Sequence, residues 1–253
     1  MAKTKEIIHL LTPEGEALQA DPSITPWDVY PRPQMKRDSF LCLNGEWEVS
    51  VNHGAMQAIR VPFCPESVLS GLCISPAETV TLLYRKTFTL PEGFNKSKVL
   101  LHFGGVDQGI RLLLNDRFVG QHEGGYEAFS FDITDYLQDD NRLCVECWDC
   151  LKSHVLPYGK QRADRGGMWY TPVSGIWQTV WLESVPETYV ESLRIDTDGD
   201  TATITASGVT EGTVTVTTPE GELSFPLADG KATVRIPSPA TGVPRTPTST
   251  SSP

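Results

Sequence analysis

The stretch of sequence that decides the fold is Trp169-Tyr-Thr-Pro-Val-Ser-Gly-Ile-Trp-Gln-Thr-Val-Trp-Leu-Glu183. Its last part alternates, so that Val180 and Leu182 fall on one face of a strand and Trp181 falls on the other. Gly175 precedes this strand and permits a close approach of another part of the chain. The stretch therefore predicts a buried strand that follows an irregular loop.

Alternation of apolar and polar residues recurs along most of the first 186 residues, whereas helical periodicity hardly appears. Asn115 and Asp116 separate two such segments and predict a two-residue hairpin turn. Only residues 132–138 are weakly helical, and that segment is too short for more than a turn or two. The sequence therefore predicts an all-β fold, with strands that include residues 46–51, 84–90, 99–103 and 178–183.

A change in composition after Pro186 predicts a domain boundary. Beyond it, tryptophan and cysteine disappear, and threonine-rich segments alternate at residues 201–205, 213–217 and 231–236. Short strands with a turn about every ten residues are typical of a small β-sandwich. Because the segment 187–238 has only about half of the roughly 100 residues of an immunoglobulin-type sandwich, it is predicted to be an incomplete one.

Composition and charge argue against some classes of binding partner. The chain has 253 residues and a formal net charge of −11, which argues against binding to the phosphates of a nucleic acid. The first residues contain no apolar run typical of a signal peptide, and no apolar stretch reaches the ~18 residues of a membrane span. We therefore expect a cytoplasmic protein that has neither a membrane nor a nucleic acid as its partner.

Three of the six cysteines, Cys144, Cys147 and Cys150, are spaced like the ligands of a metal ion. The surrounding pattern is that of a strand, on which Cys147 would point away from the other two. Cys144 and Cys150 would then lie about 20 Å apart, too far to share one zinc ion. We therefore expect thiols without a bound metal, as is usual in a reducing compartment.

Three segments share their order and spacing with a known family. They are Leu43-Asn-Gly-Glu-Trp47, the glycine-rich run from Phe103-Gly-Gly-Val-Asp107 to Phe131-Asp-Ile-Thr134, and the stretch 169–183. Together they resemble the N-terminal domain of family 2 glycoside hydrolases, the group of β-galactosidases, β-glucuronidases and β-mannosidases. The resemblance implies a galactose-binding-like jelly-roll sandwich over residues 1–186, then an immunoglobulin-like β-sandwich, here partial, and then a (β/α)₈ barrel.

The resemblance also implies where the catalytic groups of the family lie. Family members hydrolyse O-glycosidic bonds with two carboxylates of the barrel, one of them a glutamate that follows an asparagine. No Asn-Glu dipeptide occurs in this chain, and a barrel needs about 250 residues, far more than follow residue 186. The chain is therefore interpreted as a non-catalytic, carbohydrate-binding portion, truncated before the barrel, with no catalytic residue, metal or cofactor.

In galactosidases and glucuronidases of the family, an acidic residue six positions before the glycine equivalent to Gly175 contacts the terminal sugar. Trp169 occupies that position here, which puts galactose or glucuronate specificity in doubt. The candidate substrate-binding residues are Asp164, Arg165, Trp169 and Tyr170. The two aromatic rings could stack on a sugar. The alternatives are a local ion pair for the charged residues and a core or interface position for the aromatic ones.

The last residues, 239–253, are rich in proline, serine and threonine and predict a disordered tail. Residues 240–250 can also be encoded so that a shifted reading frame gives Asp-Trp-Gly-Pro-Pro-Asp-Pro-Tyr-Leu-Tyr, which is similar to a segment of the family. A frameshift is therefore a second hypothesis for the tail, and the nucleotide sequence would test it.

Three functions stay open at this point. The leading one is the carbohydrate-binding portion of a β-glycosidase, with a β-glycoside as its partner and a homo-oligomer as an open option. The second is a free-standing carbohydrate-binding module. The third is a structural or interaction β-sandwich without affinity for sugars.

Overall fold

The computed structural model describes residues 10–75, 77–153 and 155–236. The chain forms two compact units, Met1–Pro186 and Glu187–Pro253. The predicted tail, residues 239–253, lies outside the described residues.

The first unit begins with its one described α-helix, α1 (Pro13–Ala20), which Thr12 caps by accepting a hydrogen bond from the Gly15 N–H. Short 3₁₀ turns occur at Pro33–Met35, Val68–Ser70 and Thr134–Tyr136. The strands are β1 (Phe40–Cys42), β2 (Gly45–Val51), β3 (Gln57–Val61), β4 (Thr79–Phe88), β5 (Lys98–Phe103), β6 (Val106–Asp107), β7 (Gly109–Leu114), β8 (Arg117–Glu123), β9 (Phe129–Asp132), β10 (Asn141–Cys150), β11 (Gly175–Ile176) and β12 (Val180–Val185).

Two antiparallel sheets of the first unit form a sandwich. One sheet has four strands in the order β1-β12-β5-β9, and the other has six in the order β3-β2-β4-β10-β7-β8. A short ladder pairs β6 with β11. Strands far apart in the sequence are neighbours, as in the ten-residue pairing of β4 with β10. The predicted all-β, jelly-roll type of fold is confirmed.

The core lies between the two sheets because alternate residues of each strand point inward. Val99, Leu101 and Phe103 of β5 are fully buried, and Trp47 and Tyr84 of the six-stranded sheet belong to the same core cluster. Each large apolar side chain buried in this way contributes about 1.5–3 kcal/mol relative to an exposed one. The sandwich is therefore held mainly by apolar contact between its two inner faces.

The predicted alternation of β12 is confirmed. Val180 and Leu182 belong to the core, whereas Trp181 and Glu183 lie on the outer face of the four-stranded sheet. Both outward residues are nevertheless buried, because the segment that precedes β1 covers that face. Trp181 therefore adds no mass to the core between the sheets.

The hairpin turn between β7 and β8 is also as predicted. Leu114 pairs with Arg117, and Asn115 and Asp116 have φ angles of 53° and 62°. Positive φ at both central residues is the geometry of a type I′ turn, which matches the twist of the flanking strands.

The second unit contains one sheet among the described residues. Its strands are β13 (Ser192–Asp198), β14 (Thr201–Ser207), β15 (Glu211–Thr218), β16 (Gly221–Ala228) and β17 (Lys231–Arg235), in the order β13-β14-β17-β16-β15. On β17, Ala232 and Val234 are buried while the other three residues of the strand are exposed. The sheet therefore has one apolar face and one polar face.

Candidate functional site

All four predicted substrate-binding residues lie on one long loop, residues 151–174, which joins β10 to β11. The two arms of the loop pair with each other through backbone hydrogen bonds. The Tyr170 N–H donates to the Lys160 carbonyl at 2.9 Å, and the Arg162 N–H donates to the Tyr170 carbonyl at 3.0 Å. Residues 162–169 therefore form a closed tip rather than an open strap.

Gln161 anchors this tip to the sandwich. Its side chain is buried and donates through Nε2 to Asp107 Oδ2 at 3.1 Å. Its Oε1 accepts from the Val173 N–H at 2.6 Å. One amide group thus fixes both arms of the loop. Sequence patterns do not single out Gln161, because a glutamine in a polar loop is usually solvated.

The two aromatic residues at the tip differ in exposure. Trp169 is half-buried, and the Arg162 guanidinium carbon lies 4.1 Å from the centroid of its ring, so a cation–π contact holds the ring. Tyr170 is 66% exposed, so the core position considered for it is wrong. The tip therefore presents one held and one solvated aromatic ring.

The two charged residues at the tip do not form the ion pair that was considered for them. Arg165 donates a hydrogen bond to the hydroxyl of Thr171, across the loop. Asp164 is exposed to solvent. The structure thus brings the four residues onto one tip, but their side-chain contacts in the described part of the chain are with other residues.

A cluster of buried acidic side chains lies at the base of the loop. Asp107 and Asp149 are each 2% exposed. Glu66 accepts hydrogen bonds from Ser174, from the backbone N–H to Oε2 at 3.2 Å and from Oγ to Oε1 at 2.7 Å. A Cβ on Gly125 would lie 2.4 Å from Asp107 Oδ1, so only glycine fits beside this carboxyl group.

Burial dominates the electrostatics of this acidic cluster. Burial, followed by the charge of Asp107, raises the pKa of Asp149 to about 7. Burial also raises the pKa of Asp107 and that of Glu66 above their usual values. In the described residues, neither Asp107 Oδ1 nor Asp149 Oδ1 has a hydrogen-bond partner. Asp107 and Asp149 are closed off from solvent, whereas Glu66 is only partly buried, so the cluster lies mainly inside the base of the loop.

A second polar cluster lies on the outer face of the four-stranded sheet. Glu183 is completely buried there and accepts hydrogen bonds from Tyr30 and from Arg32, at 2.5 Å for Arg32 Nη2 to Oε2. His102 Nε2 lies 3.3 Å from Glu183 Oε2, and the His102 ring stacks on Trp181 with centroids 4.8 Å apart. The cluster joins the segment before β1 to β5 and β12.

The pKa shifts in this cluster have opposing causes. Burial alone would raise the pKa of Glu183, but the contact with His102 and hydrogen bonds from Arg32 and Tyr30 hold it well below the usual value. Burial lowers the pKa of His102, which outweighs the effect of the neighbouring carboxylate. A neutral His102 beside an ionised Glu183 fits both shifts, although at 3.3 Å from Oε2 the imidazole Nε2 does not meet the geometry of a hydrogen bond. Burial, followed by the bond to Glu183, raises the pKa of Tyr30 to about 12.

Comparison with protein families agrees with this architecture. Residues 56–186 match the model of glycosyl hydrolases family 2, sugar binding domain. The match covers more than half of the chain, and the chain therefore belongs to this family and carries its sugar-binding domain.

Relatives in sequence are glycoside hydrolases. A β-galactosidase of Thermoanaerobacter pseudethanolicus is 32% identical over 118 residues, which are 46% of this chain and 15% of that protein. A putative β-glucuronidase of Formosa agariphila is 28% identical over 115 residues, 45% of this chain and 13% of that protein. The chain thus spans less than a sixth of the length of either relative.

Solved structures share the fold. A β-glucuronidase of Faecalibacterium prausnitzii superimposes with a TM-score of 0.66 and 22% identity over 87% of this chain and 44% of that one. A β-glucuronidase of an uncultured Clostridium gives a TM-score of 0.62 and 17% identity over 87% of this chain and 42% of that one. At such identities the likeness establishes the fold alone.

Neither a metal-binding cluster nor a membrane-spanning helix occurs among the described residues. No group of three or more histidine, cysteine, aspartate or glutamate side chains there could hold a metal ion. None of the helices in the same part of the chain is long and apolar enough to cross a membrane.

Proposed function

We propose that this chain is the non-catalytic, carbohydrate-binding N-terminal portion of a longer family 2 glycoside hydrolase that cleaves β-glycosides. The match of residues 56–186 to the sugar-binding domain of the family carries the proposal. The small share of each relative that the chain spans supports a longer parent enzyme. In this proposal, the tip of the loop 151–174 contacts a sugar that the rest of the enzyme holds.

The proposed contacts with the sugar come from Asp164, Arg165, Trp169 and Tyr170. Support comes from the way the tip is held before any ligand arrives. Its arms are paired, Gln161 fixes its base, and a contact with Arg162 holds Trp169. A loop that is ordered in advance loses less conformational entropy on binding, which favours a role in positioning a ligand.

Two experiments test the non-catalytic part of the proposal. The purified chain is expected to release no p-nitrophenol from the β-galactoside, β-glucuronide or β-mannoside above the buffer rate. Hydrolysis would contradict the proposal. The nucleotide sequence downstream is expected to encode a barrel with an Asn-Glu dipeptide, and a gene without one in any frame would favour a free-standing module.

The proposed role of the loop is testable in the longer protein. Trp169→Ala is expected to raise KM about tenfold and to leave kcat within about a factor of two of the unaltered enzyme. The reason is that the stacking contact is equally strong with the bound substrate and with the transition state. Trp27→Ala is the matched control, since Trp27 is 56% exposed and lies outside the loop. Equal effects of both variants on KM would contradict a role of the loop.

We further propose that residues 187–238 form an incomplete immunoglobulin-like sandwich that readily associates with a second copy. Support comes from the single sheet of the described residues, in which the outer strands β13 and β15 each pair with one neighbouring strand only. Limited proteolysis is expected to cut this unit faster than the first. Equal resistance of both units, in a chain shown by sedimentation to be a monomer, would contradict the proposal.

We also propose that the protein is located in the cytoplasm. The six cysteines, all within the described residues, are present as thiols rather than disulfides, as is usual in a reducing compartment. Fractionation of the source cells tests the location, and recovery of the chain only outside the cytoplasm would overturn it.

A further inference from the structure

An open groove crosses the outer face of the six-stranded sheet. It has a volume of about 620 Å³. Residues that line it include His53, Met56, Leu83, Arg111, Glu146 and Trp148. This volume falls within the roughly 300–1,000 Å³ typical of sites for small molecules. None of the four predicted loop residues lines the groove.

Strand register explains why these side chains meet. Ser50, Leu83, Glu146 and Arg111 are successive cross-strand partners on β2, β4, β10 and β7. Residues that face each other in antiparallel pairs point to the same side of a sheet, so this row lies entirely on the outer face. Four strands spaced ~4.8 Å apart give a floor about 14 Å wide.

Trp148 lies beside this row and forms part of the lining of the groove. Its cross-strand partner is Gly109, and a Cβ on that glycine would fall 2.4 Å from Cε2 of the indole. The ring therefore occupies the space that any other residue at position 109 would fill. Because Trp148 is only half-buried, it remains available to a ligand.

An exposed ion pair stands next to the indole. Arg111 Nη1 lies 3.1 Å from Glu146 Oε2, and the side chains are 51% and 42% exposed. The Arg111 guanidinium carbon also lies 5.4 Å from the ring centroid of Phe118, which restricts its movement. The pair thus offers fixed donors and acceptors without a net charge of its own.

We infer that this groove is a carbohydrate site of the chain itself, in which a neutral oligosaccharide stacks on Trp148 and hydrogen-bonds to Arg111 and Glu146. Sugar rings combine an apolar face with a rim of hydroxyl groups. An aromatic ring beside a fixed charge pair matches both features. The inference rests on the proposed function, because the class of ligand follows from the sugar-binding family.

An apolar peptide is a poorer occupant of the same groove. Burying it there would remove the exposed Arg111–Glu146 pair from water, at a cost that only hydrogen bonds from the ligand could offset. Sugar hydroxyl groups can both donate to Glu146 and accept from Arg111. The adjoining apolar surface of Leu83 and Met56 then packs against the carbon skeleton of the saccharide.

The test uses the whole chain with three neutral probes: β-1,4-galactotriose, β-1,4-mannotriose and cellotriose. The six tryptophans are labelled with 5-fluorotryptophan, and each fluorine resonance is assigned with a Trp→Phe variant. At least one probe is expected to bind saturably and to shift the Trp148 resonance. Trp148→Ala is expected to weaken binding by about tenfold or more.

Two further variants keep the test decisive if Trp148→Ala does not fold. Glu146→Gln retains the shape of an exposed residue and is expected to weaken binding about threefold to tenfold through loss of the charged acceptor. Trp27→Ala, at a residue that is 56% exposed and lies outside both the groove and the loop, is the matched control and is expected to bind as the unaltered chain does. The folded state of each variant is checked by near-ultraviolet circular dichroism.

The outcomes separate this inference from the proposed function. Loss of binding in Trp169→Ala with full binding in Glu146→Gln would overturn the groove and leave the sugar-binding role to the loop. Absence of binding for all three probes would also overturn the groove. The role within a longer glycosidase would then still be judged by its own test, the downstream coding sequence.

Discussion

The outer faces of the two sheets of the sandwich carry similar side chains and use them differently. On the four-stranded sheet, Trp181 and Glu183 contact Arg32, which belongs to the segment that precedes β1. This segment covers both residues. On the six-stranded sheet, Trp148, Glu146 and Arg111 lie in an open groove. A tryptophan, a glutamate and an arginine thus form a structural cluster on one face and an accessible surface on the other.

Solvent exposure accounts for this difference. Glu183 is completely buried, so its charge must be satisfied by protein groups, and removing it would leave those groups without a partner. Glu146 is 42% exposed on its side chain, so water can replace its partner at little cost. The same pair of charges therefore supports the fold where it is covered and remains free for recognition where it is not.

The largest expected effect comes from breaking the covered cluster. Glu183→Ala should lower the free energy of unfolding by about 3–5 kcal/mol, because it leaves Arg32 and His102 facing each other without the carboxylate. Urea unfolding followed by tryptophan fluorescence measures the change. Glu146→Ala on the open face is the matched control and should cost less than about 1 kcal/mol. Similar losses in the two variants would remove the contrast between the faces.

A smaller effect is expected where Trp148 lies over the sheet. Gly109→Ala should destabilise the chain by about 1–3 kcal/mol, because the added Cβ would lie 2.4 Å from the indole and the ring must move. The matched control is Gly15→Ala in helix α1, where the new Cβ meets its nearest neighbours at 3.5 Å or more. That control should stabilise by up to about 1 kcal/mol through helix propensity. Thermal melts of both variants check the difference, and a neutral Gly109→Ala would show that the ring does not occupy this space.

The interior at the base of the loop should respond to pH. Burial raises the folded-state pKa of Asp149 to about 7 from an ordinary value of 3.8, so the native chain loses stability as pH rises across that interval. Asp149→Asn should therefore stabilise the chain by about 1–2 kcal/mol at pH 8 and bring no gain at pH 3.5. Urea midpoints at both pH values test this. A gain that is the same at both would show that ionisation is not its cause.

The smallest expected change in stability concerns the exposed ion pair of Arg111 and Glu146. A double-mutant cycle of Arg111→Ala and Glu146→Ala should give a coupling of about 0.2–1 kcal/mol in dilute buffer, because solvent weakens the attraction between exposed charges. Repeating the cycle in 1 M NaCl should reduce the coupling towards zero. A coupling that persists at high salt would mean that the groove is less open than its exposure indicates.

Much of the fold was predictable from local patterns. Alternation placed Val180 and Leu182 on the opposite face of a strand from Trp181, and Asn115-Asp116 identified a hairpin turn. Trp169 and Tyr170 lie on a loop directly before β11, but their predicted role in binding a sugar stays a prediction. Gln161 and Asp149 could not be found in this way. Their importance depends on burial, which neither spacing nor residue type reveals.

The sequence by itself determined the class of fold, the faces of the strands and membership of the family, because the period of side chains along a strand and the residues of a tight turn are local properties. Only the tertiary structure decided that Trp181 is covered while Trp148 is not. Both residues lie on strands whose side chains alternate between the two faces of a sheet, and both point to the outer face. What lies above each of them depends on distant parts of the chain: the segment before β1 in one case, and solvent over a six-stranded sheet in the other.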